Sequence, residues 1–235
     1  VLHSLPENVS HLNITMGFPL SQTPAYSFVN ALMELHTAGY NPNNGRYRFD
    51  EVISVLRHPY TRQLSPEAGK LEKALTQDNR FYPLPSELEK DEALELLFQP
   101  REGNLSLCIM LAEALKRMAA CYQQQAASAD AAFDQLYREA LFNAFTLINR
   151  FHTLTESGEL QVQPATFKRL LTRVMSAASI PFHGEPAIGM QVMGVLETRN
   201  LDFRNIILLS LNEGQLPKSG GDSSFIPYNL RKAFG

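Results

Sequence analysis

The stretch from Ile188 to Lys218, IGMQVMGVLETRNLDFRNIILLSLNEGQLPK, determines which fold the sequence predicts. It contains two apolar runs, Met190 to Leu196 and Ile206 to Leu211, which are rich in Val, Ile, Leu and Met and almost free of charge. Runs of this kind are typical of strands that are covered on both faces of a sheet. The second run is followed by Asn212-Glu213-Gly214, a turn signal at the carboxyl end of a strand, where open α/β sheets place their functional loops.

The first forty residues are predicted to form one strand followed by one helix. Val9 to Met16 is the expected strand, and Gly17-Phe18-Pro19 ends it. Thr23-Pro24 predicts a helix start, because Thr is a preferred N-cap and Pro fits the first turn, where its missing N–H is not needed. The apolar stripe of this helix consists of Ala25, Phe28, Leu32 and Leu35, and Gly39 is the expected helix end.

The middle of the chain is predicted to be helical. A short helix from about Asp50 to Arg57 should end at His58-Pro59, and the sequence from Pro66 to Ala178 is almost wholly helical in pattern. Apolar residues recur there at three- and four-residue spacing in three long stretches, which predicts a helical bundle. The three stripes are Leu105, Cys108, Leu111, Leu115, Met118 and Tyr122; Phe133, Leu136, Ala140, Phe145, Ile148 and Phe151; and Pro164, Phe167, Leu170, Leu171, Val174 and Ala178.

The order of these patterns predicts an α/β fold with a large all-helical insertion. A βα unit opens the chain, a ββ pattern closes it, and helices fill the middle. The simplest arrangement is one α/β domain built from residues 1–40 and 180–235, with residues 41–179 as an inserted helical subdomain. Since the chain begins at Val1 and stops at Phe234-Gly235, it is expected to be a piece of a longer polypeptide.

Composition bounds the possible functions. Of the 235 residues, 44% are hydrophobic and 19% are charged, as in ordinary globular proteins. The net charge of −3 argues mildly against a protein that binds nucleic acid through bulk electrostatics, because phosphate binding usually leaves a basic surface. Neither a membrane-spanning run nor an export leader is predicted, so the expected location is the cytoplasm and no membrane partner is expected. Cys108 and Cys121 are expected to be reduced, because they lie too far apart along one helix to form a disulfide.

Two motifs carry a resemblance to a known family. The sequence around Gly194 to Phe203, together with Glu213-Gly214-x-x-Pro217, resembles motif V of the superfamily-one DNA helicases of the UvrD, RecB and AddB group, whose usual form is T-x-H-x-A-K-G-L-E-F before a strand and an E-G-x-x-P turn. The form present here looks most like AddB-type helicase-nuclease proteins and related PD-(D/E)XK nuclease family proteins. A second string of the AddB type, T-M-G-x-P-L, is matched by Thr15, Met16, Gly17, Pro19 and Leu20.

The resemblance implies a fold and an origin for the chain. The fold would be a partial RecA-like (P-loop NTPase-like) domain, the second motor domain of such a helicase, with a helical insertion. The parent protein would be an ATP-dependent helicase and exodeoxyribonuclease in DNA repair. Its partners would be single-stranded DNA, the missing first motor domain and nuclease domain, and a possible partner subunit.

The same resemblance implies which residues would bind DNA or lie near a nucleotide. Carried over position by position, Gly194 replaces Thr, Leu196 replaces His, Thr198 replaces Ala, Arg199 replaces Lys and Asn200 replaces Gly. Arg199 keeps a positive charge suited to phosphate, and Asp202 keeps the acidic group that lies near the nucleotide sugar in the family. The implied DNA-binding set is Thr15, Gly17, Gly194, Thr198, Arg199 and Asn200, and Asp202 is the implied nucleotide-proximal residue.

Other interpretations of these residues stay open. Thr198 and Arg199 could lie in a solvent-exposed loop without a ligand, and Leu201 and Phe203 suit packing beneath that loop better than binding. Loss of the family His and Gly at Leu196 and Asn200 suggests a degenerate motor with a scaffold or DNA-scanning role.

No complete catalytic site is predicted. The sequence lacks G-x-x-x-x-G-K-[ST], H-E-x-x-H, G-x-S-x-G and an Asp followed by E-x-K, so no catalytic residue and no metal ligand is assigned. We expect no cofactor in this chain, and ATP and Mg²⁺ only in the parent protein if its motor is active. The alternatives are a helical protein-interaction module that docks a partner subunit, and half of an active helicase completed by upstream residues.

Overall fold

The computed structural model of the protein is mostly helical. It describes residues 12–14, 17–124, 131–180, 190–194, 198, 202–209 and 211–212. The helices are α1 (Pro24–Glu34), α2 (Phe49–Arg57), α3 (Pro59–Leu64), α4 (Ala68–Gln77), α5 (Pro85–Leu88), α6 (Glu92–Phe98), α7 (Gly103–Gln124), α8 (Ala131–Glu156) and α9 (Pro164–Ala177). The strands are β1 (Leu12–Ile14), β2 (Phe18–Pro19), β3 (Tyr40–Asn41), β4 (Arg46–Tyr47), β5 (Ser179–Ile180) and β6 (Met190–Val192).

The strands of the described residues form three pairs. β1 and β6 are parallel, with Leu12 opposite Met190 and Ile14 opposite Val192. β2 and β5 are antiparallel, and β3 and β4 form a small hairpin. The parallel pair joins the N-terminal strand to the strand that follows the helices. The predicted large helical content is therefore confirmed, whereas the described strands are few, and β1 and β6 are shorter than the predicted strands.

Helix α1 begins where its sequence predicts. The Thr23 hydroxyl accepts a hydrogen bond from the Tyr26 N–H at 3.4 Å, and Pro24 occupies the first turn. The predicted apolar stripe is buried, and Phe28 is fully enclosed. After Glu34 the chain forms one π-helical turn, Leu35–Gly39, before β3 begins. Helix α1 thus lies in the centre of the helical region.

The long helices α7 and α8 pack side by side and antiparallel. The Arg138 guanidinium donates to the Tyr122 carbonyl at 3.0 Å, and the Lys116 ammonium lies 5.5 Å from the centre of the Phe145 ring. Their facing residues join those of α1, α2 and α9 in one apolar core. The predicted helical bundle is confirmed. The largest fully buried side chains include Tyr47, Tyr60, Phe28, Phe98 and Phe167.

The second apolar run of the C-terminal stretch differs from its prediction. Ile206–Leu209 are not in a strand, and each of these side chains is at least 60% exposed. In the first run only Met190–Val192 is a strand, and Met190 is 41% exposed. The prediction of two strands covered on both faces is therefore wrong for the described residues. Hydrophobicity alone does not bury a run, because a second layer must lie against it.

Two of the predicted helical stripes also contain exposed members. Leu105 on α7 is 37% exposed, and on α9 Leu170 and Val174 are 37% and 41% exposed. The buried positions of α9 are Phe167, Leu171 and Met175, of which the last was absent from the predicted stripe. Spacing by four keeps these three on one face of the helix, whereas Leu170 and Val174 form a neighbouring strip.

The chain divides into two compact units, Val1–Met193 and Gly194–Gly235. The first holds all the helices and strands named above. This division does not test the predicted boundaries at 41–179, which stay a prediction. In the described part of the chain, no helix has the length and apolar character needed to cross a membrane.

Candidate functional site

Gly17 is the predicted DNA-binding residue whose surroundings are best defined. It lies between β1 and β2, and a Cβ built at this position would be 2.8 Å from the Ser179 Cβ and 3.0 Å from the Ile180 carbonyl oxygen. Real Cβ atoms essentially never come as close as the first of these distances. Gly17 is therefore needed for the close approach of β2 and β5. A DNA contact at Gly17 stays a prediction.

The remaining predicted site residues are only partly described. Thr15, Arg199 and Asn200 lie outside the described residues. Gly194 and Asp202 are exposed and Thr198 is half-buried, and these three belong to the second unit, whereas Gly17 belongs to the first. The DNA-binding set and the nucleotide-proximal Asp202 therefore stay predictions. Phe203, which was expected to pack beneath the loop, is half-buried.

A serine and a histidine meet between α1 and the start of α3. Ser27 Oγ lies 3.0 Å from His58 Nε2, while His58 Nδ1 accepts from the Tyr60 N–H at 3.2 Å. Because Nδ1 is an acceptor, the neutral ring carries its proton on Nε2 and donates it to Ser27 Oγ. The Ser27 hydroxyl in turn donates to the Pro24 carbonyl at 3.1 Å. A general base needs a free ring nitrogen facing the hydroxyl, so this pair is structural and not nucleophilic.

Burial keeps this histidine neutral. It lowers the pKa of His58 from 6.5 to about 4, so the Nδ1 lone pair stays available to cap α3. His58-Pro59 was predicted only to end a helix, yet His58 also begins the next one. The sequence signal was Pro59, which is favoured at the first position of a helix.

A second half-buried histidine, His36, joins the π-helical turn after α1 to α6. His36 Nε2 lies 2.9 Å from the Leu97 carbonyl oxygen, and the Tyr47 hydroxyl donates to the Phe98 carbonyl at 2.8 Å. Burial is the main reason that the pKa of His36 is lowered to about 4; the Leu97 hydrogen bond opposes this shift and the nearby Arg101 guanidinium adds to it. Burial likewise raises the pKa of Tyr47 far above its usual range. Both rings tie the end of α6 to the core.

Two acidic side chains, Glu87 in α5 and Asp91 at the start of α6, have structural partners. Asp91 accepts from the Leu94 N–H at 2.8 Å as the N-cap of α6, and it also bonds the Ser65 hydroxyl. Glu87 accepts from the Leu84 N–H at 2.7 Å. No group of three or more His, Cys, Asp or Glu side chains within the described ranges is placed to hold a metal ion.

An open groove lies on the outer surface of α8 and α9. Its volume is about 650 Å³, and its wall on α9 is the exposed Val174. We call it the α8–α9 groove. Sequence reasoning placed Val174 in the core and so missed this surface. The lining residues are Thr146, Leu147, Asn149, Arg150, Phe151, Thr153, Leu154 and Val174.

Comparison of the chain with models of known protein families, with curated proteins and with solved structures gives no match. The likeness to AddB-type helicase-nucleases therefore depends on the motifs around Gly17 and Phe203.

Proposed function

We propose that the chain is part of a DNA-repair helicase-nuclease of the AddB type, to which it contributes single-stranded DNA binding or a scaffold without a complete catalytic site. The fold would be a partial RecA-like second motor domain with a helical insertion. ATP, Mg²⁺ and DNA cleavage would belong to the parent protein, through its first motor domain and its nuclease domain.

The parallel pairing of β1 with β6 is the observation that best supports this proposal. Leu12 lies opposite Met190, although more than a hundred residues, most of them helical, separate the two strands. The T-M-G-x-P-L string follows β1 directly, and the motif V sequence begins two residues after β6. Both motifs therefore come after the carboxyl ends of neighbouring parallel strands, where α/β sheets bind their ligands.

A titration of a labelled single-stranded oligonucleotide at low salt tests the DNA part of the proposal. We expect weak binding whose affinity falls as salt rises, because phosphate contacts release counterions. Arg199→Ala should weaken binding and reduce the slope of log affinity against log salt by about one, as expected for the loss of one phosphate contact.

Lys73→Ala is the matched control, because Lys73 is an exposed cation on α4 that belongs to neither motif. It should leave the affinity and the salt slope unchanged. Absence of binding at low salt would refute DNA binding by this chain. Equal effects of the two substitutions would mean that any binding is nonspecific and that Arg199 has no special role.

A second candidate function, docking of another protein surface, is favoured by the exposed apolar run of the second unit. Ile206–Leu209 and Leu211 are each at least 54% exposed. Monomeric proteins seldom leave contiguous apolar side chains uncovered. Light scattering together with binding of an apolar dye tests this function. A monodisperse monomer that binds no dye would rule it out, whereas oligomers or strong dye binding would support it.

A further inference from the structure

Helix α9 carries two apolar strips with different surroundings. Phe167, Leu171 and Met175 are buried in the core. Leu170 and Val174, which follow one another by one helical turn, form the outer strip and remain more than a third exposed. Val174 lines the α8–α9 groove. Helix α9 therefore has a second apolar strip that is only partly covered.

The other wall of the groove comes from α8, where the apolar lining residues share one face. Leu147, Phe151 and Leu154 recur at spacings of four and three, so they lie along one face of the helix. Leu154 is 38% exposed. Phe142 stands one turn before the groove residue Thr146 and is 66% exposed, which extends the apolar surface along α8. Two helices with facing apolar strips form the kind of groove that accepts a third helix.

Three arginines lie in or beside this apolar surface. Arg150 lines the groove, and Arg169 and Arg173 each stand next to a member of the outer strip of α9. All three are exposed, and none forms an ion pair with a residue in the part of the chain that the structure describes. Helix α9 has no acidic residue, and its remaining cation, Lys168, pairs with Glu34. On α8, Glu156 Oε2 lies 3.7 Å from His152 Nδ1.

We propose that the α8–α9 groove binds an acidic amphipathic helix of a partner protein. The apolar face of that helix would lie on Leu147, Leu154 and Val174, and its flanking Asp or Glu side chains would pair with Arg150, Arg169 and Arg173. Guanidinium groups suit this role, because they form charge-assisted, often bidentate bonds with carboxylates. The proposed docking is separate from DNA binding by the motif residues.

The lining chemistry favours a protein helix over nucleic acid. Single strands bind on exposed aromatic rings, on which their bases stack. Within the groove lining, the exposed apolar residues Leu154 and Val174 are aliphatic, and the aromatic residue Phe151 is only 7% exposed. The exposed ring of Phe142 lies on α8 outside this lining. Aliphatic side chains at helical spacing are what the apolar face of an amphipathic helix packs against.

Fluorescence anisotropy with a designed peptide tests the proposal on the full chain. The probe is a labelled helical peptide with Leu at positions i, i+3, i+4 and i+7 and Glu on both flanks of that stripe. We expect saturable binding that weakens with added salt. Val174→Asp should weaken binding by about tenfold or more, because it places a carboxylate against the Leu stripe of the peptide and near its flanking Glu side chains. Arg169→Glu with Arg173→Glu should weaken it by a similar factor at low salt.

Matched controls separate the groove from the rest of the surface. Ile109→Asp introduces the same charge at a 54% exposed apolar position of α7 outside the groove, and Lys73→Glu reverses a charge on α4. Both should bind the peptide like the unmodified chain. Circular dichroism on every variant establishes that the helical content is kept.

Several results would overturn the proposal. These are no saturable binding of the acidic peptide, equal binding of a peptide with the same residues in scrambled order, and equal binding of a peptide with Lys in place of Glu. Folded groove variants that bind as well as the controls would have the same meaning. Displacement of the peptide by a single-stranded oligonucleotide would instead make the groove a nucleic-acid site. Since the groove variants should not alter oligonucleotide binding, failure of this proposal is distinguishable from failure of the proposed function.

Discussion

The helical region and the C-terminal apolar run contain similarly hydrophobic side chains but differ in how far these side chains are buried. Phe28 on α1 and Phe167 on α9 are fully buried, because helices from several parts of the chain surround them. Ile206–Leu209 are as hydrophobic as any helical stripe, yet each is at least 60% exposed. This difference shows that an apolar pattern identifies residues whose burial would be favourable. Whether they are buried depends on the presence of a second layer of structure that packs against them.

Replacing the central Phe28 ring by alanine should change the free energy of unfolding more than any other substitution considered below. It tests whether the helical region is buried as described. Phe28→Ala is expected to lower the free energy of unfolding by about 3 to 5 kcal/mol, because it leaves a cavity beside Tyr60 and His58. The Phe28 ring centre lies 5.6 Å from that of Tyr60 and 5.0 Å from that of His58. Urea unfolding measures the change. Phe142→Ala, at a 66% exposed ring, should change stability by no more than about 0.5 kcal/mol.

Acid should destabilise the helical region through its half-buried histidines, His36 and His58. The pKa of His36 is lowered from 6.5 to about 4, so between these pH values the unfolded chain binds a proton that the folded chain does not. The free energy of unfolding should therefore fall as pH drops from about 6.5 towards 4, by on the order of 3 kcal/mol for this group, and should not change on its account above 6.5.

Urea unfolding between pH 7 and pH 4.5 measures this dependence, and His36→Gln should remove part of it. His58, whose pKa burial also lowers to about 4, should supply a further part. If the variant kept the full slope, His36 would not be buried as a neutral ring in solution.

Gly17 offers a test at the junction between the helical region and the strands. Gly17→Ala should lower the free energy of unfolding by about 1 to 3 kcal/mol, because its methyl group would overlap with Ser179 and the Ile180 carbonyl. Adding Ser179→Gly removes the side-chain overlap and should restore part of the loss. Measured stabilities of the two single variants and the double variant give this coupling. Purely additive effects would contradict the close approach.

The smallest effect is expected in the C-terminal run. Ile207 is 81% exposed, so Ile207→Ala should change the free energy of unfolding by no more than about 0.5 kcal/mol. Chemical denaturation of both proteins at several concentrations measures it. A loss of 2 kcal/mol or more, or one that grows with protein concentration, would show that the run is covered in solution and would remove the contrast with the helical region.

The sequence predicted the helical region well, because its signals are local. Thr23 and Pro24 begin α1 as expected, and the buried Leu111 and Met118 of α7 follow the predicted spacing. The local pattern failed at Leu170 and Val174. These two lie next to a buried stripe, and which strip of an apolar helix faces the core depends on how neighbouring helices pack.

The candidate sites could be predicted only in part. The motif residues were found from a resemblance, which is a property of the sequence, and the structure adds a packing reason for Gly17. The α8–α9 groove could be found only from the structure, because its walls come from separate helices. Its arginines are recognised as a group only when the positions of these helices are known. A sequence signal did exist, since α9 carries three cations and no acid.

The pairing of β2 with β5 has a consequence for engineering the molecule. Phe18 lies opposite Ile180, and the Leu20 N–H donates to the Ala178 carbonyl at 3.0 Å. The chain therefore enters and leaves the helical region at adjacent positions. Cutting there would leave two chain ends roughly 5 Å apart, the spacing of adjacent strands. A turn of a few residues could join these two ends. The excised helical segment could also be inserted into a surface loop of another protein.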